Sequence, residues 1–333
     1  MPFHPLPVGA LAVLALAFLP PAPPLGAALP SPPPSHVVVV VEENHGYGEI
    51  IGSSSAPYIN SLAKGGALMT QSFAVTHPSE PNYLELFSGS TQGVTDDSCP
   101  NTFTAANLGG QLLAAGRTFV GFSEDLPSAG YTGCTSGGYA RKHNPWVMFT
   151  DLPAASNQPF SAFPQGHFQD LPTVSWVIPN LGDDMHDGTI QAADAWLRTN
   201  LDAYVQWARS NNSLLVLTFD EDDNGATNQI ATLFNGPMVL PGRYGERITH
   251  DHLLRTLEDL YGLGHAGKAA SVPAISDIWS GSGTCQAACW SSGNYVKFSG
   301  IKATAFNLTA IPGTASDGTP RAPVNGLQIV PAP

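Results

Sequence analysis

Five valines run straight into two carboxylates and an amide at Val37–Asn44, VVVVVEEN, and a second apolar run ends in acids at Ser213–Asp223, SLLVLTFDEDD. Carboxylates and amide carbonyls are hard oxygen donors, the chemistry that holds Ca, Mg or a similar divalent ion. A lone acidic pair at a strand end is ordinarily solvated. Two such pairs, each behind a strand apolar enough to be covered on both faces, imply one shared cation site at a common sheet edge. The candidate metal ligands are Glu43, Asn44, Asp220 and Glu221. A third segment, Thr76–Gly89 (THPSEPNYLELFSG), brings a hydroxyl. Ser79 follows a strand-like stretch and opens a helical one, where backbone N–H groups and the helix dipole favour negative charge. An alkoxide forms more easily there and a phosphoryl oxyanion is stabilised. Asn82, one turn further on, offers an amide donor to the same oxygens. An ordinary N-cap serine has the same local signature, so the acid-tipped strands are what raise Ser79 to a candidate nucleophile.

Three further segments carry ionisable groups. Ile178–Gly188, IPNLGDDMHDG, packs three acids and a histidine into Asp183–Asp187. His186 is a candidate general acid toward a leaving oxygen, and Asp184 a further ligand candidate. Tyr139–Trp146, YARKHNPW, is the densest basic spot in a chain with only 13 Lys and Arg. Arg141 and Lys142 are therefore the candidate anion holders, with His143 beside them. Ile248–Arg255, ITHDHLLR, places His250 ahead of an amphipathic helix.

The elements that must position these groups alternate. Strands are expected at Val37–Val41, Ala67–Ala74, Thr118–Phe122, Thr173–Ile178, Leu214–Phe219 and Ile230–Phe234. Helices are expected at Pro57–Lys64, Glu80–Phe87, Leu108–Ala115, Ile190–Arg209 and His252–Leu260. Strands alternating with helices predict an α/β fold with a mainly parallel central sheet flanked by helices. At 333 residues there is room for one large domain, His36–Trp279, plus an appendage. Residues 280–333 turn polar and rich in Gly, Thr, Ala and Pro, and read as a small β module or an irregular tail without assigned chemistry.

Hydrophobic content of 43% excludes a disordered chain, and a formal net charge of -13 argues against a nucleic-acid-binding surface. That charge also repels anionic substrates unless several acids are spent on a bound cation. At the N-terminus, Gly9–Leu19 is an apolar core too short to span a bilayer, followed by prolines and small residues. It predicts an export signal over residues 1–28, a linker at Leu29–Ser35, and a secreted protein with no membrane insertion once the signal is removed. The first seven residues hold no Lys or Arg, which is atypical of such a signal, and an N-terminal membrane anchor is the alternative. Four cysteines suit an oxidising compartment. Cys285 and Cys289 are close enough to close a local loop, which leaves Cys99 with Cys134; a zinc site is the alternative.

Together, EENH at Glu42–His45, THPSEPNY at Thr76–Tyr83, YARKHNPW, IPN…DDMHDG and FDEDD resemble the bacterial phosphoesterase family that contains secreted acid phosphatases and phospholipases C, within the alkaline phosphatase superfamily. The resemblance runs from about His36 to Trp279. It implies Ser79 as nucleophile, Glu43, Asn44, Asp220 and Glu221 as ligands of a divalent metal, and His143 and His186 as contacts to the phosphoryl group. It further implies a phosphomonoesterase with a phosphoserine intermediate, acting on phosphate esters, phosphoinositides among them. The runner-up is a phospholipase C-type phosphodiesterase. From another class, a calcium-stabilised cell-surface binding protein would explain the acids but not the serine turn.

Overall fold

The computed structural model describes residues 29–280. The expected export signal, the C-terminal segment from residue 281 and the Cys285–Cys289 pair lie outside them.

The valine run becomes strand β1, His36–Glu42, and each of its five valines is wholly buried. Alternation of side chains across a strand divides them: Val37, Val39 and Val41 enter one hydrophobic core, Val38 and Val40 the other. A strand with both faces covered must lie inside a sheet between helical layers. It does, at the fifth position of an eight-stranded sheet. Its companions are β2 (Ala67–Phe73), β3 (Phe119–Ser123), β6 (Asn157–Pro159), β7 (Val174–Ile178), β8 (Ser213–Phe219), β9 (Gln229–Asn235) and β10 (Gly242–Thr249), in the order β10-β2-β9-β8-β1-β7-β3-β6. Two two-residue strands, β4 (Thr135–Ser136) and β5 (Tyr139–Ala140), form a separate hairpin.

Helices cover both faces. On one side lie α3 (Ser79–Ser88), α4 (Leu108–Ala114) and α6 (His250–Tyr261), delivering Leu84, Phe87, Leu112, Leu253 and Leu257 to the first core. On the other lie α2 (Pro57–Gly65) and α5 (Ile190–Ala208), delivering Ile59, Leu62, Trp196, Leu201 and Val205 to the second. A single-turn helix, α1 (Tyr47–Ile50), follows β1. The molecule is thus the expected α/β sandwich with a mainly parallel sheet.

Three details go beyond the elements expected from the sequence. Strand β9 runs antiparallel to both β8 and β2, and these two reversals bring β2 back into the direction of β1. The carboxyl ends of β1, β2, β7 and β8 therefore share one edge, which fixes where the loops after them meet. Strand β10 was not anticipated, because Gly242, Gly245 and three charged residues interrupt any apolar run; it is an edge strand with Arg243, Gly245 and Arg247 turned to solvent. Helix α6 also starts at His250 rather than His252, with Thr249 as its N-cap.

Helix placement depends on long-range polar contacts as well as packing. Asp194, buried on α5, accepts from the backbone N–H groups of Tyr58 (3.0 Å) and Ile59 (2.8 Å), so one helix supplies the cap for another. Gly89 ends α3 at φ 64°, and a Cβ there would meet the Ala266 carbonyl oxygen at 2.3 Å. Removing the inter-helix cap leaves two buried donors without partners. Asp194→Ala is expected to cost about 2 kcal/mol or more, read as a melting-temperature drop of several degrees; an unchanged melting curve would show that the cap carries no stability.

Candidate active site

Strands β1 and β8 are parallel neighbours with Glu42 opposite Phe219. The residues that follow, Glu43 and Asp220, consequently emerge side by side, tied by a hydrogen bond from the Asp220 N–H to the Glu42 carbonyl (3.0 Å). Helix α3 begins at the same edge. Its first residue is Ser79, whose hydroxyl donates to Glu43 Oε2 at 3.0 Å and lies 3.4 Å from Glu221 Oε1. It also stands near enough to Asp220 to favour that carboxylate's charged form. Ser79, Glu43, Asp220 and Glu221 are all buried. Two strand ends and one helix start thus bring a hydroxyl into a nest of three carboxylates.

The second carboxylate oxygen of Glu43 faces the opposite way. Tyr83, one turn beyond Ser79 on α3, donates to Glu43 Oε1, and His143 Nε2 lies 3.1 Å from the same atom. His143 is buried, stacked on the Tyr83 ring with centroids 5.0 Å apart, and its Nδ1 is 3.2 Å from Asp184 Oδ2. Neither histidine–carboxylate contact has hydrogen-bond alignment. One ligand atom each from Glu43, His143 and His186 falls within 4.8 Å of the others. His186 is a quarter exposed, with Nδ1 2.8 Å from Asp187 and Nε2 3.0 Å from the Lys142 ammonium.

Like charges held together away from water oppose ionisation. Burial, then the neighbouring charge of Asp220, pushes Glu43 well above the usual carboxylate range. Burial and then Glu221 do the same to Asp220. Glu221 is pushed up to about 8, by burial first and by Glu43 next. A divalent cation would relieve all three. The donor set fits one: hard oxygens and imidazole nitrogens converge, Asp220 Oδ2 is buried without any partner, and the His143 and Glu43 atoms approach without bonding.

Other residues singled out from the sequence fall into distinct positions. Asn44 joins through its backbone: at φ 55° its N–H donates to Asp220 Oδ1 at 3.2 Å. Asn82 is spent on local structure, accepting from the Val75 and Thr76 N–H groups and donating to the Thr76 and Pro78 carbonyls. Its remaining contact, 3.1 Å to Glu221 Oε2, ties the turn before Ser79 to the acid pair. His250 is not among the converging ligand atoms. Its Nε2 sits 2.7 Å from the Asp220 backbone carbonyl, and burial lowers its pKa to about 4, so the neutral ring positions the β8 terminus. Arg141 corrects the expectation of an anion holder: it is buried, and its guanidinium donates to the Thr132, Asn101 and Val147 carbonyls. Lys142 does face the site, beside His186. The Cys99–Cys134 disulfide is formed, joining the two loops that Arg141 also bridges.

Sequence reasoning missed His77 and Tyr83. His77 spans the acid pair's flank, Nδ1 2.9 Å from Glu221 Oε2 and Nε2 3.3 Å from Asp222 Oδ1. Tyr83 had a usable signal: four residues after Ser79 on a helix, it had to lie on the same face.

Comparison with known proteins gives the family and the fold. The Phosphoesterase family matches residues 52–264. A phosphatidylinositol-3-phosphatase of Mycobacterium tuberculosis is 57% identical over 247 residues, spanning 74% of this chain and 83% of that protein. A phosphate-repressible acid phosphatase of Penicillium chrysogenum is 31% identical over 231 residues, spanning 63% of this chain and 55% of that longer protein. The fold is shared with a protein of the alkaline phosphatase superfamily from Vibrio parahaemolyticus, at TM-score 0.55 and 14% identity over 75% of this chain and 72% of that one. A serine hydroxyl at a helix start among cation-seeking carboxylates, set in that fold and supported by those relatives, makes this chain an enzyme of the phosphoesterase family.

Proposed function

We propose that the protein is a secreted, metal-dependent phosphomonoesterase of the acid phosphatase type, with Ser79 as nucleophile and phosphoinositide headgroups among its substrates. The observation that carries this is the Ser79 hydroxyl, held 3.0 Å from Glu43 at the N-terminus of α3. The similarity to the mycobacterial phosphatidylinositol-3-phosphatase supports the substrate class. Export is supported by the apolar N-terminal segment and by the Cys99–Cys134 disulfide, a bond suited to an oxidising compartment.

Glu43, Asp220 and Glu221 would hold the cation, with His143 and His186 in reach of Glu43. When bound, it supplies positive charge that favours the serine alkoxide and offsets the charge of the phosphoryl group. The chain's own groups do the rest. Ser79 Oγ, its proton directed at Glu43 Oε2, attacks phosphorus in line with the departing alcohol. The Lys142 ammonium, beside His186, faces the developing charge. The proton for the leaving oxygen comes from the accessible Lys142–His186 pair, in which the ammonium donates to His186 Nε2, whereas His143 is enclosed between Glu43 and Asp184. Water then displaces Ser79 from the phosphoserine and releases phosphate.

Ser79→Ala is expected to keep the native melting curve and lose at least about a thousandfold in kcat on para-nitrophenyl phosphate; near-normal turnover would remove Ser79 from the mechanism. Comparing para-nitrophenyl phosphate with para-nitrophenyl phosphocholine separates a monoesterase from a diesterase, and faster release from phosphocholine would favour the phospholipase C-type alternative.

The carboxylate cluster makes a second prediction. In chelated protein Glu221 keeps a proton up to about pH 8 that the unfolded chain releases near its ordinary 4.5. Stability from that proton is present below 4.5 and is lost as pH rises toward 8. The melting temperature with chelator should therefore fall across this interval, and a divalent cation should flatten the fall. Identical slopes with and without the ion would show that these carboxylates hold no cation.

A further inference from the structure

Asp97 is an unexpected residue at the mouth of the site. Its Oδ1 accepts from the backbone N–H of Glu80, the residue after Ser79, at 3.0 Å. Its Oδ2 accepts from the Lys142 ammonium at 2.8 Å. The same ammonium lies 3.0 Å from His186 Nε2. One carboxylate therefore connects the start of the nucleophile's helix to the cation beside the exposed histidine.

Electrostatics alone would exclude an acid here. Asp97 adds negative charge to a site already crowded with it, and its charge is among the causes that lift Glu221. An anionic substrate is repelled by each such group. What Asp97 gives in exchange is position. A free lysine keeps a flexible four-carbon stem, and fixing it on one partner removes that freedom before substrate arrives.

The segment carrying Asp97 is itself held at three points. The Cys99–Cys134 disulfide joins it to the loop before β4. Arg141 donates to Asn101 O at 2.9 Å and to Thr132 O at 2.7 Å, across the same two loops. The Asn101 amide donates to Glu80 Oε1 on α3 at 2.6 Å. Adjacent residues thus divide the work: Arg141 is buried and clamps the loop, and Lys142 reaches Asp97 on that loop.

We propose that Asp97 is a positioning residue that acts through Lys142 to set the preference for phosphate monoesters over diesters. The inference rests on the monoesterase proposed above. A bound monoester carries up to two negative charges on its phosphoryl oxygens where a diester carries one, so the extra charge needs a further cation beside the site. Lys142, held between Asp97 and His186, supplies one. Arg141, the neighbouring cation, is committed to carbonyls. Without Asp97 the lysine loses its fixed position and the second charge loses its partner.

The test uses Asp97→Asn, Lys142→Met and the double variant, with the ratio of kcat/KM for para-nitrophenyl phosphate to that for bis-para-nitrophenyl phosphate as readout. Because both substrates report on the same preparation, the ratio does not depend on the fraction folded. Each single variant is expected to lower the ratio by at least about tenfold, and the double variant to match Lys142→Met, because a residue acting through another adds nothing once that other is gone. Lys142→Arg should restore most of the ratio. A ratio unchanged in Asp97→Asn, or losses that multiply in the double variant, would overturn the role of Asp97. A wild-type enzyme that prefers the diester would instead overturn the monoesterase proposal beneath it.

Discussion

Everything at the active edge follows from three carboxylates that the fold forces together out of water. Glu43, Asp220 and Glu221 arrive on two neighbouring parallel strand ends, and the backbone leaves them no route apart. Their mutual repulsion in a low-dielectric setting is an energetic debt that protons or a cation must discharge. The surroundings offer further donors a cation could use: imidazole nitrogens approach without bonding, one Asp220 oxygen is left bare, and a serine hydroxyl donates to Glu43. Catalytic potential here is thus a by-product of destabilisation. The sheet supplies the rigidity that makes the crowding tolerable, since five fully buried valines anchor β1 directly behind Glu43.

Glu43 is the pivot of the arrangement. One of its oxygens meets the Ser79 hydroxyl and the other meets Tyr83 and His143, so two half-sites share a single side chain. Anything that rotates this carboxylate acts on both at once. Tyr83 and Ser79 come from the same helix face, which means that α3 sets the geometry on both sides of Glu43.

Much of this was legible in the sequence because it depends on local pattern. Continuous β-branched runs identify strands covered on both faces, abrupt acids mark their ends, and a serine opening a helix marks an anion-friendly terminus. These signals place Glu43, Ser79, Asp220 and Glu221 before any coordinates are known. What failed, failed for want of tertiary information. A basic triplet in an acidic chain looks like an anion seat, yet Arg141 is turned inward onto carbonyls from two loops while Lys142, one residue later, turns outward. His77 and Asp97 leave no trace in local pattern: their partners lie 144 and 45 residues away. Strand β10 was hidden because an edge strand need not be apolar to pair.

Helix α3 has no exposed residue: all ten, Ser79 included, are enclosed. A helix gripped on every side cannot shift to suit different ligands, so the reacting centre is a fixed template. Diversification among related enzymes is then confined to the loops that overlook it, where insertions and exchanges disturb no packing. New specificities in this architecture should arise by redecorating the entrance while the machinery beneath stays frozen.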